Sequence, residues 1–415
     1  MAGIRKSLLQ FIFSGSFMKR WNDKLRPTEL SEVDKQAHKM LVAWFLCRLH
    51  AENAGGGAEQ LALEQKVVEG GLFEYCFRLV ITDIKPPVFY RIKENPDHYR
   101  KLTEWVLKEL EPQMQSLDEV FWERLQAYFL RSAAPDLADA ILEAAHHYAS
   151  YWEFRLLKPL NSFDDELQEI EAGFQSKLEG LRHVRGVAEL IDVESNSIIR
   201  GFANLCGQLR FQKRWSQTPR IPETSVLGHM FVVAAFAYFF SICVGACRGR
   251  CVNNFIAGLL HDLPEVLTRD IIFPVKTSVG GMDTLIRAYE EEALHRKILA
   301  PLRKEGYGAV ADRLEYYLGL AVGSEFHECI CRDGRTERVS FDDLQARYNA
   351  DIFDPKDGRL LKACDGMGAF LEAYTAVRNG IASDHLQQAL WRLREDNRHF
   401  SLGPLHVGAL FADFD

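Results

Sequence analysis

The sequence predicts an all-α protein, and three observations carry that expectation. Apolar residues recur at three- and four-residue steps through 35–50, 100–112, 117–131, 136–157, 165–190, 282–300 and 360–378, the spacing that lines up one face of a helix. Strand-like alternation is confined to ECICRDGRTERVSF (328–341), where Asp-Gly between two β-capable runs predicts a hairpin. The longest apolar stretch, VLGHMFVVAAFAYFFSICVGAC (226–247), has the length of a bilayer span. His229 inside it and polar sequence on both sides predict a buried core helix instead.

Taken in order, the elements support this class. The opening MAGIRKSLLQFIFSGSF has the basic start and apolar stretch of a secretory leader. It lacks an A-x-A-like cleavage site, is broken by polar residues and runs into Lys19 and Arg20, so it reads as an amphipathic first helix. AENAGGGAEQ (51–60) reads as a flexible loop, and the charged helix near 164–185 as a connector between two halves. Cys243, Cys247 and Cys251 recur every four residues and read as small buried hydrophobes along one helix face.

Composition narrows the function. A chain of 415 residues is long enough for two ordinary domains. With 47% hydrophobic and 26% charged residues it has the profile of a soluble globular protein, with no membrane partner. The nine cysteines include no CxxC pair and fit a reducing cytoplasm. A net charge of −8 gives no reason to expect nucleic acid as a partner. An acidic small molecule stays open, because a local cation outweighs a distant global charge.

The two halves resemble each other. FMKRW (17–21) recurs as FQKRW (211–215), His38 matches His229, and GLFEYCFRLVITDIKPPV (71–88) lies over GLLHDLPEVLTRDIIFPV (258–275). More weakly, ILEAAHHYASYWEF (141–154) lies over LLKACDGMGAFLEA (360–373). Order and spacing are nearly kept. The expected organisation is a first helical domain over 1–160, a connector over 161–204, and a second domain over 205–415 with an insertion that carries the hairpin. The result is a pseudo-dimer within one chain, and homo-oligomers remain open.

Chemistry concentrates in GLLHDLPEVLTRD (258–270), where His261, Asp262, Glu265 and Asp270 crowd behind an apolar run with only Arg269 to balance them. In one continuous helix His261 and Glu265 are i,i+4 neighbours, and Asp262 reaches the same edge. An imidazole and carboxylates converging make a site for a hard-to-borderline divalent ion. His229 in the preceding helix and Asp365 in ACDGMGAF are candidates for the missing ligands. Separately, each has an ordinary structural reading: a core histidine, a helix cap, a solvated acid.

Together with KRW, PETSVLGH, FPVK and KACDGMGAFLEA, the pattern His, His-Asp, distant Asp resembles the HD-domain metal-dependent phosphohydrolases, in particular their 5′-deoxynucleotidase branch, over about residues 205–380. The resemblance implies metal ligands at His229, His261, Asp262 and Asp365. It implies Glu265, alongside Asp262, as the carboxylate that positions or deprotonates the attacking water. Arg214 and Asp270, with Lys276, would hold the nucleotide, and Trp215 would pack on the sugar and disfavour a ribose. The implied cofactor is one divalent ion, with Mn, Co, Fe, Ni, Mg and Zn all compatible. The implied reaction is phosphate release from (deoxy)nucleoside 5′-monophosphates. Deoxynucleoside triphosphates, cyclic nucleotides and guanosine tetraphosphate are alternatives within the superfamily. A nucleotide-sensing scaffold without activity is an alternative outside it. In the first half the His-Asp position reads Glu74-Tyr75, Arg78 replaces Glu265, and His146 falls at Asp365. A missing ligand and a nearby guanidinium predict a unit that kept its fold and lost its chemistry.

Overall fold

The computed structural model describes residues 3–51, 57–132, 134–192, 194, 196–271, 279–381 and 383–414. It is all-α, apart from two short hairpins. The first half comprises α1 (Lys6–Phe13), α2 (Glu32–Leu49), α3 (Gly57–Ile81), α4 (Pro86–Glu94), α5 (Pro96–Met114), α6 (Glu119–Leu130) and α7 (Leu137–Leu157). Then come α8 (Leu167–Gly180), α9 (Val187–Ile191) and α10 (Ile198–Gln208). The second half holds α11 (Val226–Cys243), α12 (Arg248–Leu260), α13 (Glu265–Thr268), α14 (Met282–Leu294), α15 (Ala300–Lys304) and α16 (Gly308–Tyr317). Hairpin β1–β2 (Cys329–Arg332, Arg335–Arg338) follows, then α17 (Phe341–Ala346), α18 (Gly358–Arg378) and α19 (Asp384–Asn397). The chain closes with β3–β4 (Ser401–Leu402, Leu405–His406) and α20 (Val407–Ala412).

The expected hairpin turns at Asp333-Gly334, both with positive φ, the backbone that a two-residue turn of matching twist requires. The first helix is amphipathic, burying Leu8, Leu9, Ile12 and Phe13. Helix α11 is apolar on every side, and 94% of it is buried within the protein. One continuous hydrophobic core includes Leu8 and Met40 of the first half and Phe231, Phe255 and Phe370 of the second.

Three expectations need correction. Cys243, Cys247 and Cys251 do not share a helix face: α11 ends at Cys243, Gly245 turns the chain at φ 66, and Cys247 caps α12. The helix through 258–270 is not continuous. It stops at Leu260, tightens through Leu263 N–Leu260 O and Glu265 N–Asp262 O bonds, and restarts behind Pro264, which has no N–H to continue the ladder. His38 does not take the place of His229. Ser31 and Ser225 each cap their helix, and each is bridged to a lysine twelve residues back, Lys19 or Lys213. The residue four beyond the cap is His229 in α11 and Lys35 in α2. His38 faces away, bonding Ala203 O at 2.8 Å.

Candidate metal centre

Three helices build the site, and small residues set their approach. At Gly258 of α12 a Cβ would lie 2.9 Å from Ala234 Cα, so only glycine lets α12 cross α11 this closely. That crossing sets His261, just past the end of α12, beside His229, their ring centroids 5.6 Å apart. On α18, Asp365, Gly368 and Glu372 share one face at i, i+3 and i+7. A Cβ at Gly368 would lie 2.9 Å from His229 Cε1, so the imidazole rests against bare backbone with a carboxylate on either side. The start of α18 is tied to α12 through buried Asp357, which accepts from Arg250 Nε at 2.6 Å, Arg250 Nη2 at 2.7 Å and Asn254 Nδ2 at 2.8 Å.

Ligand-type atoms of His229, His261 and Asp262 all lie within 4.8 Å of one another. His229 Nε2 is 3.1 Å from Asp365 Oδ1, and His261 Nε2 is 3.2 Å from Asp262 Oδ2. His261 Nδ1 contacts Gly258 O at 2.8 Å. With the proton on that nitrogen, Nε2 is the lone-pair face toward the site. His261 Nε2 is buried with no well-formed hydrogen bond, a donor atom aimed where a cation fits. Burial works against a charged His261, yet the Asp262 carboxylate beside it lifts it to about 9, so a cation coming to Nε2 displaces a proton from the ring. Burial also disfavours ionised Asp262 and Asp365. His261 overrides this at Asp262, and Lys362 with His229 at Asp365, so both are held below the usual carboxylate range. Two imidazoles and two ionised carboxylates fit a divalent ion.

The remaining expected residues fall around this core. Glu265 opens α13 and is buried. Arg214 reaches Asp262 Oδ2 at 3.4 Å through Nη1 and Glu372 Oε2 at 3.2 Å through Nε. Trp215, half-buried at φ 56, donates its indole N–H to Glu372 Oε2 at 2.8 Å, and its ring lies 5.6 Å from the Arg220 guanidinium. Asp270 acts electrostatically on Arg214 and Arg220. Lys276 lies outside the described residues.

Two participants were missed. Glu372, 1% exposed, accepts from Arg214, Trp215 and Thr224 Oγ1 and stands 3.5 Å from His229 Nδ1. Burial opposes its charge, but Arg214 and His229 keep it ionised, well below its ordinary range. Lys362 sits 2.9 Å from Asp365 Oδ2 and 4.5 Å over the Phe326 ring. Both lie inside KACDGMGAFLEA, where their spacing from Asp365 was the available signal.

Residues 206–394 match the model of a family described as the HD domain, which supports membership of this segment in the HD-domain superfamily. No curated protein and no solved structure matches the chain.

Proposed function

Starting from an HD domain at 206–394, the mark of metal-dependent phosphohydrolases in general, we propose that this chain releases phosphate from (deoxy)nucleoside 5′-monophosphates in the cytoplasm. One observation carries the reading: His229, His261, Asp262 and Asp365 converge with Arg214 against them. The cations beside this cluster in the described residues are few, chiefly Arg214, Arg220 and Lys362, and each already touches a protein oxygen. A triphosphate would call for more; a single phosphate suits this supply.

His229, His261, Asp262 and Asp365 would hold the ion, which when bound neutralises phosphate charge and makes water acidic enough to attack near neutral pH. Arg214 binds a phosphoryl oxygen, and Glu372 fixes the angle of its guanidinium. Glu265, buried behind Asp262, takes the proton of the attacking water. The water oxygen bonds to phosphorus as the phosphorus–O5′ bond breaks, and the proton taken by Glu265 passes to O5′, so the nucleoside leaves as its alcohol. Asp270 aligns Arg214 and Arg220, and the Trp215 ring forms the wall against the sugar.

The two halves are proposed to be copies of one helical unit. Support comes from recurrence at a constant spacing of 194: Trp21 and Trp215 share φ 56, and Arg20 N–Leu30 O matches Arg214 N–Thr224 O. Arg26 and Arg220 each donate to the backbone carbonyl six residues earlier, at Arg20 and Arg214. The first copy then serves as a packing partner, so the chain imitates a dimer.

The deciding experiment measures phosphate release from the four deoxynucleoside monophosphates, their ribose counterparts and triphosphates across Mn, Co, Mg, Ni, Fe and Zn. Metal-dependent turnover of monophosphates that Asp365→Ala abolishes is expected. Turnover indifferent to Asp365→Ala overturns the mechanism, and faster turnover of triphosphates overturns the substrate. Equal rates on ribose and deoxyribose remove the role given to Trp215.

A further inference from the structure

We infer that the first half contains a closed counterpart of the metal centre, in which the Lys35 amine stands where His229 stands in the second half and no divalent ion binds. The inference rests on the metal-centre reading above and concerns residues that reading does not use.

The correspondence is geometric. Glu153 accepts from Arg20 Nε at 2.8 Å and Trp21 Nε1 at 3.0 Å, as Glu372 accepts from Arg214 and Trp215. Seven residues before each glutamate stands the partner of the residue four beyond the serine cap. In the second half that contact is His229 Nε2 to Asp365 Oδ1 at 3.1 Å. In the first it is Lys35 Nζ to His146 Nδ1 at 2.9 Å. A Cβ at Gly71 would strike Met40, as one at Gly258 would strike Ala234, and this sets Glu74-Tyr75 where His261-Asp262 sit. The scaffold contacts persist while the ligands are exchanged.

Each exchanged group is already engaged. Glu74 is taken by Lys39 and by Tyr128 Oη at 2.8 Å. Tyr75 turns its hydroxyl to Ile12 O at 2.8 Å and its ring onto Phe231. Arg78, in the place of Glu265, reaches Glu32 Oε2 at 3.4 Å and Asp83 Oδ1 at 3.2 Å. Where the second half gathers Asp262, Glu265 and Asp365, the first gathers Lys35, Lys39 and Arg78. Burial drives Lys35 down to about 7, and Arg20, Lys39 and Arg78 add to that against the pull of Glu32. A position that resists one positive charge resists two.

The test is the number of ions per chain, from equilibrium dialysis of the full-length protein against Mn²⁺ with elemental analysis. The expected values are one equivalent for the wild type and none for Asp365→Ala. A second equivalent in the wild type overturns this inference and leaves the second-half centre standing, whereas a single equivalent unchanged by Asp365→Ala puts the ion outside that centre and overturns both readings. No equivalent in the wild type overturns the metal-centre reading, and this inference with it. Lys35→Met supplies a further check: it is expected to keep one equivalent, because Arg78 and Tyr75 still exclude the ion. Gain of a second equivalent there overturns the closed arrangement built from all three residues.

Discussion

Glu372 Oε1 stands 3.5 Å from His229 Nδ1, while the opposite nitrogen of the same ring lies 3.1 Å from Asp365. One imidazole thus lies between two carboxylates, and an Nδ1–H turned toward Glu372 would leave Nε2 for the proposed metal. Carboxylates behind ligating histidines fix the ring and raise its basicity. Glu372→Gln keeps the shape but not the charge, so the Mn²⁺ dissociation constant is expected to rise about 10- to 100-fold. Titration calorimetry with the metal alone measures it, and an unchanged constant would remove the orienting role.

Gly368→Ala separates stability from metal binding. The new methyl comes within 2.9 Å of the buried His229 ring, and shifting that ring offsets the gain of about 1 kcal/mol that alanine has over glycine in a helix interior. The unfolding midpoint is expected to hold while Mn²⁺ affinity falls. Loss of both together would mean that α18 itself has shifted.

Glu265→Gln is expected to lower kcat by roughly 10²- to 10⁴-fold, the usual contribution of a general base. Bound metal per chain should stay at the wild-type value, since Glu265 is not among the proposed ligands. Steady-state rates combined with elemental analysis read both, and a variant that loses the ion would make Glu265 a ligand instead.

Acid stability should depend on Glu32. Burial favours its neutral form, but Arg20, Lys35 and Arg78 override this and bring it to about 2. With its folded value below its unfolded one, its stabilisation is complete above about pH 5 and is lost as pH falls toward 2, amounting to on the order of 3 kcal/mol. Urea midpoints at pH 7, 4 and 3 should therefore fall less steeply for Glu32→Gln, although that variant starts lower at pH 7. Parallel curves would exclude Glu32 as a source of the acid sensitivity.

The fold class and the clustering of His229, His261 and Asp262 were legible because they depend on local periodicity and on a set of residue types with few other reasons to occur together. His229, His261, Asp262 and Asp365 are ordinary one by one and specific as an ordered set. Glu372 was not legible, because a glutamate in GAFLEAY reads as a solvated helix charge until Arg214, Trp215 and Thr224, some 150 residues away, are brought to it. The counterpart inferred at Lys35 was hidden differently. A histidine three residues on invited alignment with His229, although the unbroken spacing from FMKRW to the Ser31 cap pointed to the lysine. The break at Pro264 follows from a missing N–H and could have been read from the sequence.

Helix α11 is walled on one flank by α2, where Ser225 Oγ donates to Asp34 Oδ1 at 2.5 Å and a Cβ on Gly228 would crowd Asp34 at 2.6 Å. Cutting the polypeptide ahead of residue 205 would therefore uncover the α2-facing flank of this apolar helix within the HD segment. Such a fragment would clump before its activity could be judged. A protein trimmed to the matched family segment alone is thus the wrong reagent for assaying metal binding or phosphate release.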